Sequence, residues 1–222
     1  MPKINKDSTL NITLVGVGLC LLCSAIISFI AIQLRSVQEN NVVLDMQKKI
    51  VSSAGLEEFY GSVENAMSNI KTIIIDLDKG EIVDISPDSY ELAKELREDG
   101  KYKFLSAEED IASIKKREKY SKIYIEYKDN KINTLILPVR GYGLWGILYG
   151  YLAIEGDFNT VAGLEFYEHK ETPGLGAEID NPKWKALWKG KKIYQENGNV
   201  SLKVIKGSVQ KTSSNYNYEI DG

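Results

Sequence analysis

The first long pattern in the chain is an apolar one. From Asn11 to Leu34 no residue is charged, and Leu, Ile, Val and Phe fill most of the run. About 20 such residues, wound as a helix, cross a hydrocarbon core of about 30 Å. A cleaved signal peptide would have a shorter apolar stretch and a small-x-small cleavage site. Here Ile30, Ile32 and Leu34 run directly into Arg35, so residues 11–34 are predicted to form an uncleaved single-pass transmembrane helix. Val42, Val43, Met46, Ile50, Val51 and Ala54 then recur at near-helical spacing, with Gly55 and Gly61 as breakers. Residues 35–60 are expected to be a helical connection, leading into a domain over 61–222.

Within that domain the pattern changes period. Ile70 to Ile85 holds two β-rich runs joined by Asp78-Lys79-Gly80, which predicts a hairpin. Ser86 to Lys119 is rich in Glu, Lys and Arg and reads as two weakly amphipathic helices, split by Glu98-Asp99-Gly100, with the second around Ala107 to Tyr120. From Ser121 onward, four strand-like runs follow with short turns between them, which predicts an antiparallel sheet. On the first of these, Ile123 and Ile125 alternate with Tyr124, Glu126 and Lys128, the mark of a half-buried strand. Asn181-Pro182 starts a helix reaching Trp188, and Val200–Ile205 and Tyr216–Ile220 add two more strand candidates. The expected class is α+β: one N-terminal transmembrane helix and an extracytoplasmic antiparallel or mixed sheet with flanking helices.

Charge refines the picture modestly. Against 31 Asp and Glu stand 28 Lys and Arg, for a net charge of −3. The balance argues against nucleic acid as a partner, since no basic patch or stripe stands out. Lys3 and Lys6 precede the apolar run, favouring a cytoplasmic N-terminus (residues 1–10) and an exported main domain. Both cysteines, Cys20 and Cys23, lie inside the apolar run. Two thiols supply half of an iron–sulfur cluster, so small residues packing in the membrane are the simpler reading.

Candidate chemistry gathers at two glycine-rich turns. Gly141-Tyr-Gly143-Leu-Trp-Gly146 has the letters of a dinucleotide fingerprint, but that device needs a helix to begin there. The following ILYGYLAI is strand-like, so nicotinamide binding is rejected. Trp145 fits either a ligand contact or a core position. The second turn, Glu171-Thr172-Pro173-Gly174-Leu175-Gly176, combines a carboxylate, a hydroxyl, a fixed proline angle and two flexible glycines. His169, the sole histidine, has no partners for a metal site and no nucleophile motif beside it, so it reads as a shaping residue. Neither a catalytic residue nor a metal ligand is expected.

With His169-x-Glu171-Thr172-Pro173-Gly174-Leu175-Gly176, the upstream Gly141-Tyr142-Gly143-Leu144-Trp145, Leu44-Asp45-x-Gln47-Lys48, Ala54-Gly55-Leu56 and the membrane helix, the chain resembles the C subunit of the sodium-translocating NADH:quinone oxidoreductase. The resemblance runs nearly end to end. It implies FMN as cofactor, electron relay from NADH toward quinone within an ion-pumping oxidoreductase, and a place in the bacterial inner membrane with a periplasmic domain. It implies the other membrane subunits and a flavin transferase as partners. By the same resemblance Gly143, Leu144, Trp145, Glu171, Thr172, Gly174, Leu175 and Gly176 are the cofactor-binding positions. The family attaches FMN to a threonine in a Ser-Gly-Ala-Thr motif, usually just after Asp-Gly. The sequence ends at Asp221-Gly222, so that threonine is absent from it and is expected beyond Gly222. Two other readings stay open: the G subunit of the related Rnf complex, and a non-redox anchored sensor or ligand-binding domain.

Overall fold

The computed structural model describes residues 8–222, so most of the expected cytoplasmic segment 1–10 lies outside the described residues. Helix α1 spans Thr9–Ser53 without a break. The chain divides into two compact units, one ending at Asp45 and one beginning at Met46. In the first unit the helix is long and apolar enough to cross a membrane, with a mean hydropathy of 2.6 in its most apolar window and none of that window buried. Cys20 and Cys23 are exposed on it.

The second unit is the expected α+β domain. The last turns of α1 are followed by α2 (Leu56–Tyr60) and α3 (Val63–Ser68), the latter capped by the Ser62 hydroxyl, which accepts the Asn65 N–H at 3.2 Å. Next come β1 (Ile70–Asp76) and β2 (Glu81–Val83), paired antiparallel as the hairpin pattern predicted. After α4 (Leu92–Glu95), strands β3 (Tyr102–Phe104) and β4 (Lys116–Glu118) form a small hairpin of their own. The main strands are β5 (Tyr120–Lys128), β6 (Lys131–Tyr142), β7 (Ile147–Glu155) and β8 (Val161–Glu168). Together they make one six-stranded sheet in the order β2-β1-β5-β6-β7-β8, with antiparallel pairing throughout. Helix α5 (Pro182–Ala186) begins where expected, with Asn181 accepting the Lys183 N–H at 3.0 Å. A parallel pair of β9 (Lys203–Ile205) and β10 (Glu219–Asp221) closes the described chain.

Two local expectations fail for identifiable reasons. The predicted helix over Ala107 to Tyr120 is a turn leading into β4. Ser106 and Glu109 do close a capping box, but the Asp110 carboxylate accepts the N–H groups of Ile114 at 2.7 Å and Lys115 at 2.9 Å. That side chain offers the backbone a competing set of bonds, and the chain turns away from a helix. Strand β5 is also not half-exposed. Ile123 and Ile125 pack in one cluster, while Tyr124 joins Ile50, Val51, Ile136 and Tyr151 in another, so the strand is buried on both faces. Glu126 is only 1% exposed. Its carboxylate accepts from Tyr60 Oη at 2.9 Å, Asn133 Nδ2 at 2.6 Å and Thr134 Oγ1 at 3.0 Å, which supplies the polar partners that burial demands.

The end of α1 is fixed to the sheet at Gly163, where a methyl group would overlap the Ser53 carbonyl oxygen. Glu165, two residues on, accepts from Lys49 Nζ at 2.8 Å and Lys185 Nζ at 2.7 Å, tying β8 to the end of α1 and to α5.

Candidate functional site

The β6–β7 connection is the four-residue turn Gly143 to Gly146, closed by the Gly143 N–H donating to the Gly146 carbonyl at 2.7 Å. A strand, not a helix, follows it, as the rejection of the dinucleotide reading required. Long apolar flanks hold the two strands together, and the turn projects its residues beyond the sheet. Leu144 is 78% exposed and Trp145 63% exposed. Of the two readings for Trp145, the core position is therefore excluded.

The second motif leaves the end of β8. Gly174 has φ of 75°, open to glycine at low cost, and the Thr172 carbonyl accepts from both Leu175 and Ala177 N–H at 3.1 Å. This folds Thr172 to Gly176 into a tight loop that runs into a short 3₁₀ turn over Gly176–Asp180. Thr172 is exposed at the loop, and Leu175 is 72% exposed.

A single carboxylate joins the two motifs. Glu171 is buried, and its Oε1 accepts the Trp145 N–H at 3.1 Å. A methyl group at Gly143 would overlap Oε1, and one at Gly176 would stand 2.5 Å from Oε2. Both glycines thus leave the space the carboxylate fills. His169 sets the backbone at this joint. Its Nδ1 accepts the Glu171 N–H at 3.2 Å, which leaves the proton on Nε2 to bond Asp180 Oδ2 at 2.7 Å. His169 thus bridges the Glu171 backbone and the Asp180 carboxylate. Asp180 was invisible to sequence reasoning, because nothing in its surroundings marks it as the histidine's mate.

The base of the hairpin is also held. Arg140 is paired with Glu118 and donates to the Lys116 carbonyl at 2.9 Å, and the Tyr142 N–H donates to the Ala112 carbonyl at 2.8 Å. Below the turn, the Tyr149, Tyr167 and Tyr151 rings follow one another at centroid distances of 6.0 and 5.0 Å. Burial, with the Glu168 charge beside it, pushes the Tyr167 hydroxyl up to about 12. A cleft of about 440 Å³, lined by Phe59, Glu126, Lys128, Asn133 and Glu155 among others, opens at the other end of the sheet. It shares no residue with the two glycine motifs. The motif surface is an open, apolar shelf suited to a flat ring laid against it.

A model of the FMN-binding domain family matches residues 143–222, beginning at the first glycine of the turn. The C subunit of the Na(+)-translocating NADH-quinone reductase from Pseudomonas aeruginosa is 45% identical over 223 residues, covering 98% of this chain and 85% of that protein. The chain belongs to this C-subunit family. The Vibrio anguillarum protein of the same name is 39% identical over 203 residues, covering 91% of this chain and 80% of its own length. Among solved structures, NqrC of Shewanella oneidensis is similar with a TM-score of 0.69 and 29% identity, covering 79% of this chain and 81% of that one. The Parabacteroides distasonis C subunit is similar with a TM-score of 0.59 and 26% identity, covering 85% and 83%. In this member of the family the six-stranded sheet presents both glycine motifs from one end, and the matched span takes in the shelf from Gly143 onward.

Proposed function

We propose that this chain is the FMN-carrying C subunit of a sodium-translocating NADH:quinone oxidoreductase, relaying electrons from NADH toward quinone. The observation that carries the reading is the shelf of Leu144, Trp145 and Leu175, held together by Glu171 within the span matched by the FMN-binding family.

The residues present fit a flavin. Three large apolar side chains stand exposed on two neighbouring loops, an arrangement that costs solvation free energy unless a ligand covers it. Gly174, with open space where a side chain would be, keeps the approach to the second loop clear, Gly143 and Gly176 make room for Glu171 behind the shelf, and the Thr172 hydroxyl offers one polar contact. FMN supplies reversible electron uptake and release when bound. The chain's own residues would bind and orient it: Leu144, Trp145 and Leu175 would cover the ring and exclude water, and Thr172 with the loop amides would offer polar contacts to its edge. Electron transfer of this kind asks for no acid, base or nucleophile from the protein.

The remaining assignments follow from the same reading. Residues 11–34 anchor the chain in the bacterial inner membrane, residues 35–60 lead out, and the domain from 61 onward lies on the periplasmic side. The other membrane subunits of the complex are its partners, and a flavin transferase attaches FMN to a threonine through its phosphate. The test is to co-express the complete gene product with a flavin transferase and illuminate a denaturing gel under ultraviolet light. A fluorescent band, and bleaching of the yellow colour by NADH in the assembled complex, are expected. A colourless protein that stays dark on the gel contradicts the reading and favours an anchored, non-redox domain.

A further inference from the structure

We infer that Glu171 is a positioning residue rather than a flavin ligand: it locks the two glycine loops into one shelf and places a carboxylate behind it that holds down the flavin's reduction potential. The inference rests on the FMN reading above.

Three observations converge on the role. Oε1 is engaged by the Trp145 N–H at 3.1 Å, so one oxygen is already spent on the first loop. Both oxygens sit where side chains at Gly143 and Gly176 would otherwise be, one glycine from each loop. Glu171 is also buried, 9% exposed, while Leu144, Trp145 and Leu175 on either side are among the most exposed large apolar residues of the domain. The carboxylate therefore faces inward between the loops as the apolar side chains face out. A wedge of this kind fixes the separation of the two loops, and with it the spacing of Trp145 from Leu175.

The wedge is itself held in place. Asp180 holds His169 through Nε2, and His169 Nδ1 accepts the Glu171 N–H, so the backbone bearing the carboxylate is set from the 3₁₀ turn. None of the ion pairs among the described residues involves Glu171. A carboxylate without a counter-charge, beside a group that gains electrons, disfavours the reduced form.

The experiment compares wild type, E171Q, E171A, G143A and the double variant E171A/G143A as FMN-loaded complete gene products. The readouts are flavin fluorescence, visible circular dichroism and midpoint potential, with far-ultraviolet dichroism checking the fold. E171Q keeps an acceptor for the Trp145 N–H, so fluorescence and dichroism should stay as in wild type. Its reduction equilibrium should shift about tenfold toward the reduced flavin, 59 mV for a one-electron step. E171A should brighten the flavin and weaken its dichroism as the loops part. G143A should do the same by displacing the carboxylate, and adding G143A to E171A should change little further, because both remove one interaction. Wild-type spectra in E171A, or an unchanged potential in E171Q, would overturn the inference and leave FMN binding intact. A wild-type protein without flavin would overturn the reading beneath it. If E171A does not fold, G143A and E171Q still decide the matter.

Discussion

The Ser53 carbonyl occupies the space a side chain at Gly163 would need, so the end of α1 lies directly on strand β8. No flexible side chain intervenes at this contact. Gly163→Ala is expected to push the helix end from the sheet and cost about 1–3 kcal/mol, as overpacking does. At roughly 2–4 °C per kcal/mol for a domain of this size, thermal unfolding should show the melting temperature falling by several degrees. An unchanged melting temperature would mean the contact relaxes freely.

Two residues further along β8, Glu165 takes bonds from Lys49 and Lys185, and its side chain is 11% exposed. Glu165→Gln leaves two ammonium groups facing a neutral amide, and should destabilise by about 2 kcal/mol. Lys49→Met removes only one of two cations and should cost less than about 1 kcal/mol. Urea unfolding of the two variants checks the order, and equal losses would show that the lysines do not share the carboxylate.

Asp157 governs the β7–β8 turn. Burial acts to raise its pKa, but the Thr160 hydroxyl and N–H, the Asn159 N–H and Lys192 outweigh it and hold the carboxyl well below the usual range. A carboxylate depressed in the folded state adds stability that is present above its unfolded pKa of about 4 and lost as pH falls below that. Asp157→Asn should therefore lower stability near neutral pH by about 1 kcal/mol, and the gap from wild type should narrow below about pH 4. A gap independent of pH would assign the loss to the turn's shape instead of the charge.

Much of this architecture was legible in the sequence, where the physics is local. The uncharged run, the four strand-like runs from Ser121, the Asn181-Pro182 helix start and the glycine turns each announce themselves within a few residues. In the tight turn between β5 and β6, Asp129 and Asn130 both take positive φ, 51° and 59°, as a two-residue hairpin loop requires. What stayed hidden depends on residues distant in the chain. The burial of Glu126 needs Tyr60, 66 positions away, and the joint at Glu171 needs Trp145, 26 positions away. The missed turn after Ser106 is a local failure: Asp110 bonds the backbone that a helix would have used. Among the candidate site residues, the sequence marked both loops as candidates, with Leu144, Trp145 and Leu175 as apolar contacts and the glycines as room for close approach, but gave Glu171 no place of its own. The structure separates them, with Leu144, Trp145 and Leu175 facing out and Glu171 facing in.

The proposed position of the flavin is the shelf formed by Trp145, Leu144 and Leu175. Flavin fluorescence of FMN-loaded wild type and Trp145→Ala tests it most directly, with Phe59→Ala, at the cleft on the other end of the sheet, as the control. A flavin stacked near Trp145 should be strongly quenched in wild type, several-fold brighter in Trp145→Ala, and unchanged in Phe59→Ala. Equal brightness in wild type and Trp145→Ala, or a response only to Phe59→Ala, would place the cofactor away from the shelf.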